Sequence, residues 1–292
     1  MTSAWPEPAE PLLAGIAARL RAAGCVFAEE EAALLVEAVS GRTAAGGAAA
    51  DAAELERLVA LRVAGEPLEH LLGWAEFAGL RIAVGPGVFV PRRRSELLVR
   101  LAVEHLAGLA HDAGGAPAVV VDLCCGSGAL GAGIASALEA RGWGADEFEV
   151  HAADFADAAT ACARRNLAAW GGRVRTGDLY SALPEGLRGR VNVLVANAPY
   201  VPTGALPLMP PEAREHEPAL ALDGGADGLD VHRRIAAGAH EWLAPGGALL
   251  IELGERQVTD ALALLTGVGL HPRAEEDDEL GALAIVATAP RE

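Results

Sequence analysis

Val119-Val120-Val121-Asp122-Leu123-Cys124-Cys125-Gly126-Ser127-Gly128-Ala129-Leu130-Gly131 joins an apolar run to a glycine turn and then to a segment of small residues. A buried strand that ends on an acid, followed by Gly-x-Gly opening a helix, reads as the first turn of a strand–helix–strand unit. Glycine at 126 and 128 lets backbone N–H groups approach a ligand at the helix N-terminus. A plain tight turn would read the same way, so the surroundings decide. Downstream, apolar runs at 149–154, 174–178, 192–197, 248–254 and 283–289 predict strands, as does 118–124 itself. Helical periodicity falls between them at 129–141, 157–170, 231–243 and 258–266. Such alternation predicts an α/β fold whose parallel sheet is covered on both faces.

Upstream the pattern changes. Residues 11–23, 29–40 and 51–64 carry Leu, Ile, Val and Ala at three- and four-residue spacing, which predicts a small helical bundle. The Ala/Gly-rich stretch 43–50 reads as a loose loop, and Gly65-Glu66-Pro67 ends the helical pattern. Two short β-prone runs within 77–91 flank Gly85-Pro86-Gly87 and predict a hairpin turning there. A helix is expected from Ser95, as N-cap, through Leu106, with a break at 108–117. The chain thus divides into a helical domain (1–75), a β-hairpin linker (76–94) and an α/β domain (95–292).

Composition narrows the class. Twenty-three Lys and Arg against 40 Asp and Glu give a formal charge of −17, which argues against nucleic acid as a direct ligand. No apolar run reaches the roughly 18 residues that a membrane span needs. The first residues show neither a basic nor an apolar leader region. Cys25, Cys124, Cys125 and Cys162 form no Cys-x-x-Cys pair, so reduced thiols and a cytoplasmic setting are expected, with no metal site. Cys124 and Cys125 read as small packing residues rather than nucleophiles. His151, His216 and His240 lack ligand spacing.

The strand tips carry the remaining signals. The second strand ends at Asp154, where doubly wound sheets place a carboxylate on ribose hydroxyls; the alternative is a helix cap. The third ends Gly177-Asp178-Leu179, an acid for an exocyclic amine and an apolar side chain for a base, or an ordinary turn. The fourth ends Asn197-Ala198-Pro199-Tyr200. With only three Asn, one Gln and no Lys in the chain, an amide at a strand tip needs a reason.

Asn197-Ala198-Pro199-Tyr200 resembles the Asn-Pro-Pro-Tyr motif of S-adenosylmethionine-dependent methyltransferases that act on planar nitrogens. Gly65-Glu66-Pro67-Leu68, Leu71-Leu72-Gly73, Phe89-Val90-Pro91-Arg92 and Ser95-Glu96-Leu97-Leu98 narrow the likeness. So do Glu217-Pro218-Ala219-Leu220, Asp227-Gly228-Leu229, Ile251-Glu252-Leu253-Gly254 and Gln257. Together they resemble the protein-(glutamine-N5) methyltransferases of release factors over roughly residues 65–290.

The resemblance implies a Rossmann-like class I fold with S-adenosyl-L-methionine as cofactor. It implies a protein substrate, such as a release factor with a Gly-Gly-Gln segment, recognised by the N-terminal bundle. It assigns cofactor contacts to Cys124, Cys125, Gly126, Ser127, Gly128, Asp154, Asp178, Leu179 and Asn197. It assigns the acceptor site to Asn197, Ala198, Pro199 and Tyr200. In this reading the Asn197 side-chain oxygen and the Ala198 carbonyl accept the two N–H protons of the target amide, Pro199 stiffens the turn and Tyr200 forms a π-bearing wall.

Three departures mark a divergent subgroup. Ala198 stands for the first proline, Cys124 for the first glycine, and Arg93-Arg94 for a proline and an acid. The arginine run 92–94 reads equally as a solvated loop or as a surface for an acidic partner or phosphate. Methylation of a ribosomal-protein glutamine or of adenine N6, and a cofactor-binding module without catalysis, stand as alternatives.

Overall fold

The computed structural model describes residues 10–40, 47–109 and 115–291. α1 (Glu10–Ala22), α2 (Ala28–Ser40) and α3 (Gly47–Val63) form the helical bundle. Its own core holds Ile16, Leu20, Leu35, Val39, Leu58 and Val59. The expected loop at 43–50 is corrected in its second half: 47–50 form the first turn of α3, as alanine's helix propensity favours. The rest of that stretch lies outside the described residues. α4 (Leu68–Leu72) follows and ends at Gly73, whose φ of 81° provides a left-handed cap.

The hairpin lies elsewhere than expected. β1 (Trp74–Phe77) pairs antiparallel with β2 (Leu80–Ala83), and Ala78 and Gly79 turn between them. Their φ angles of 50° and 73° suit a two-residue hairpin turn, which needs positive φ at both central positions. Gly85-Pro86-Gly87 forms a separate turn closed by Val88 N–H on the Gly85 carbonyl. Val88 and Val90 are buried without pairing in a strand. The hairpin therefore begins two residues before the expected linker.

α5 (Glu96–Gly108) follows a single 3-10 turn at Arg93–Ser95. Ser95 holds the expected N-cap position, but its side chain makes no capping hydrogen bond and is drawn to a distant carboxylate. Half of the expected break at 108–117, residues 110–114, lies outside the described residues. The α/β part then runs β3 (Ala118–Leu123), α6 (Ala129–Ala140), β4 (Phe148–Asp154), α7 (Asp157–Asn166), β5 (Arg173–Thr176) and β6 (Val191–Ala196). After α8 (Pro211–His216) and α9 (Ala219–Leu222) come α10 (Asp230–Trp242), β7 (Leu243–Glu252), α11 (Val258–Gly267), β8 (His271–Asp277) and β9 (Ala282–Thr288).

The sheet order is β5-β4-β3-β6-β7-β9-β8. The first five strands are parallel, but β9 is antiparallel to β7 and β8 antiparallel to β9, so the sheet is mixed rather than wholly parallel. β8 was not expected. Its sequence, His271-Pro272-Arg273-Ala274-Glu275-Glu276-Asp277, has no apolar alternation because it is an edge strand, where charge and proline are tolerated.

The pleat sends Val120 into one core beside α5 and α6, and Val119, Val121 and Leu123 into the other beside α10 and α11. Chain order reverses between β3 and β6, which opens a crevice at their carboxyl ends. Among the described residues no helix is long and apolar enough to cross a membrane.

Candidate active site

At the tip of β3, Asp122 is fully buried and its Oδ2 accepts the Gly131 N–H at 2.9 Å. Burial lifts its carboxyl to about 7, opposed by that hydrogen bond. The turn beyond it winds through positive φ at Cys124 (55°), Gly126 (54°) and Gly128 (76°). A Cβ at Gly128 would lie 3.0 Å from that of Ala163 on α7, and Gly128 does not line the cavity. Cβ space at Gly126 is open. Burial pushes the thiols of Cys124 and Cys125 up, so neither is an activated nucleophile.

Asp154 closes the turn from the neighbouring strand. Its Oδ2 accepts Gly126 N–H and its Oδ1 accepts Ala156 N–H, each at 2.9 Å. A carboxylate has about four lone-pair sites, so acceptor capacity remains for a diol. Asp178 pairs with Arg234 at 2.6 Å, and Leu179 takes a positive φ of 47° beside it. A cavity of about 440 Å³ gathers Cys124, Cys125, Gly126, Ser127, Asp154, Asp178, Leu179, Asn197 and Pro199. Phe89 and Pro91 of the linker, the exposed Phe155, and Leu220 of α9 add apolar walls. That size suits a nucleoside-sized ligand. Carboxylates, open glycine backbone and apolar faces together fit S-adenosylmethionine.

Asn197 stands at the tip of β6, and its Nδ2 donates to Ser95 Oγ at 3.1 Å. Ser95, 2% exposed, donates in turn to Glu252 Oε2 at 2.5 Å. The other oxygen of Glu252 accepts from Arg94 Nε and from Tyr200 Oη, both at 2.9 Å. Arg94 Nη2 also donates to Tyr200 Oη at 2.7 Å. Among the described residues neither Asn197 Oδ1 nor the Ala198 carbonyl oxygen accepts a protein hydrogen bond. The Ala198 methyl is buried in the core on the α10 side.

Tyr200 lines a neighbouring cavity of about 510 Å³ with Arg94 and Glu252. Gln257 holds the same loop: its Nε2 donates to the carbonyls of Tyr200 and Asp227, each at 2.9 Å. The arginine run is not a free basic patch. Arg92 pairs with buried Glu217 and Arg94 with buried Glu252, while Arg93 is exposed. Sequence reading missed Ser95 and Glu252 as site residues. Their signal was present in the Ser95-Glu96 and Ile251-Glu252 segments, but nothing in either segment shows that they meet. Among the described residues no group of His, Cys, Asp and Glu is placed to hold a metal ion.

Comparison with known proteins adds relatives to this geometry. Residues 80–207 match the family model "Methyltransferase small domain". The release factor glutamine methyltransferase of Streptomyces coelicolor is 38% identical over 200 residues, covering 68% of this chain and 67% of that protein. That of Deinococcus radiodurans is 36% identical over 274 residues, covering 91% and 93%. A 4-amino-L-phenylalanine/4-methylamino-L-phenylalanine methyltransferase of Streptomyces pristinaespiralis is 39% identical over 208 residues, covering 71% and 68%.

Proposed function

The chain belongs to the release factor glutamine methyltransferase family, and we propose that it methylates the side-chain amide nitrogen of a glutamine in a release factor, with S-adenosylmethionine as donor. The observation that carries this reading is the pair of acceptors, Asn197 Oδ1 and the Ala198 carbonyl, that take no hydrogen bond among the described residues, at the strand tip that borders the Asp154 cavity.

S-adenosylmethionine, when bound, supplies a methyl group already activated on a sulfonium. The residues must then bring a poor nucleophile into line, since an amide lone pair is delocalised into its carbonyl. Asn197 Oδ1 and the Ala198 carbonyl accept the two N–H protons of the target amide. These bonds orient the nitrogen and set partial negative charge where positive charge develops. Proximity of the two reactants contributes a further share, at most about 7–11 kcal/mol. Gly126 admits the backbone to the methionine end, Asp154 accepts from the ribose, and Asp178 with Leu179 flanks the adenine. No tuned general base is required, because the charged product amide loses its extra proton to water.

A second reading follows from the Streptomyces pristinaespiralis relative: an aromatic amine of a free amino acid could occupy the same two acceptors. Radiolabelled methyl transfer into a purified release factor, followed by mass mapping, separates them. Label on the Gly-Gly-Gln glutamine supports the first reading. Label on 4-amino-L-phenylalanine, with none on the protein, replaces it with the second.

A further inference from the structure

We infer that Ser95 and Glu252 are positioning residues that fix which end of the Asn197 carboxamide faces the acceptor. The inference rests on the reading of Asn197 given above.

Hydrogen-bond direction sets the orientation of the carboxamide. Glu252 is 3% exposed and lies at the carboxyl end of β7. Arg94 Nε and Tyr200 Oη both donate to its Oε1, so its carboxylate is used as an acceptor. A carboxylate only accepts. Ser95 therefore spends its single hydroxyl proton on Glu252 Oε2, 2.5 Å away. With that proton committed, Ser95 Oγ can offer Asn197 only a lone pair. Asn197 must turn its NH2 toward Ser95, as the 3.1 Å contact from Nδ2 has it, and its oxygen is left for the acceptor. An amide turned the other way would set an oxygen against an oxygen at Ser95 and offer N–H groups to the N–H groups of the target. Tyr200 then acts behind the site, by loading Glu252, which accounts for its place outside the cavity.

The logic predicts an unusual ranking. Glu252→Gln is nearly isosteric, yet Arg94 and Tyr200 still demand an acceptor, so the glutamine turns its oxygen to them and its NH2 to Ser95. Ser95 must then donate to Asn197, whose carboxamide flips. We expect Glu252→Gln to lower kcat about 100-fold, with the KM for S-adenosylmethionine within about twofold. Ser95→Ala removes the constraint without enforcing the wrong orientation and lowers kcat about 10-fold. Ser95→Thr, which keeps the hydroxyl, recovers most of that loss. A merely structural role predicts the reverse order, because the deletion disturbs packing more than the isostere.

Enzyme labelled with 15N-asparagine supplies a readout that needs no acceptor. The chain has only three asparagines, at 166, 192 and 197, and Asn197→Ala assigns the third side-chain NH2 pair. In the wild type one proton of that pair carries the downfield shift of a bond to Ser95; in Glu252→Gln that shift is lost while the other two pairs stay. Thermal melts confirm that each variant is folded. An unchanged Asn197 pair in folded Glu252→Gln, or a kcat loss in Ser95→Ala that exceeds the loss in Glu252→Gln, overturns the inference. If Asn197→Ala transfers methyl groups at the wild-type rate, the reading of Asn197 fails instead, and the resonance result still decides how the carboxamide is held.

Discussion

The two halves of the cavity are built by different means. The half proposed to face the cofactor is made of strand tips and their own following turns: Gly126 after β3, Asp154 at the end of β4, Asp178 after β5. Asp154 accepts backbone N–H groups from its own turn and from the turn after the neighbouring β3, and Asp178 pairs with the side chain of Arg234 on α10. The half proposed to face the acceptor is assembled over distance. Asn197 meets Ser95 across 102 residues of sequence, and Ser95 meets Glu252 across 157. The first half is a property of the strand–turn–helix unit. The second exists only when the entry to α5, the tip of β6 and the tip of β7 are brought together.

This difference predicts that the halves can be damaged separately. The largest effect is expected in the distant half: Asn197→Ala lowers methyl transfer about 100–1000-fold while calorimetric affinity for S-adenosylmethionine stays near wild type. Equal loss of binding and turnover would mean that the halves are not separable. In the local half, Asp154→Ala removes the acceptor of two backbone N–H groups as well as the proposed ribose contact. Affinity for S-adenosylmethionine should fall about 10–100-fold, with turnover largely recovered at saturating cofactor. Turnover that stays low at saturation would move Asp154 into the acceptor machinery.

A smaller effect tests the foundation of the local half. The Asp122 carboxyl is raised by burial from an ordinary 3.8 to about 7 in the fold, so the native state keeps a proton that the unfolded chain releases. The stabilisation is complete below the unfolded value and is lost as pH rises through about 7. Melting temperature should decline by roughly 5 °C over that window in the wild type, and the decline should flatten in Asp122→Asn. A wild-type profile that rises instead would contradict the assigned proton.

The smallest effect is at Cys124, a non-glycine residue with φ of 55°. Cys124→Gly relieves left-handed strain of about 1–2 kcal/mol, partly offset by the freedom glycine gains when unfolded. A rise in melting temperature of about 2 °C or less is expected, with binding retained. A large loss of cofactor affinity would show that the thiol, not the backbone, matters in the turn.

Local chemistry made the first half readable. The alternation of apolar strands and amphipathic helices, the glycine turn and the carboxylate at 154 are each decided within a dozen residues, and the fold kept them. The misreadings arose where a segment's neighbours outweighed its own pattern. Gly85-Pro86-Gly87 looked like the hairpin turn, but Ala78-Gly79 provides the two consecutive positive φ angles that such a turn demands. β8 shows no strand pattern because it has one partner and an open edge. Ser95 looked like a helix cap because serine before an apolar helix usually is one; a buried carboxylate from β7 captured its hydroxyl instead.

The sequence alone determined the α/β fold, the position of the glycine turn and the presence of an amide at the fourth strand tip. These follow from side-chain period and backbone freedom, which act between near neighbours. Only the tertiary structure decided that Tyr200 stands behind the cavity and that two of the three arginines neutralise buried acids. It also decided that Asn197 meets Ser95, which in turn meets Glu252. Hydrogen-bond direction depends on which groups meet in space, and that is set when the strands are ordered into a sheet.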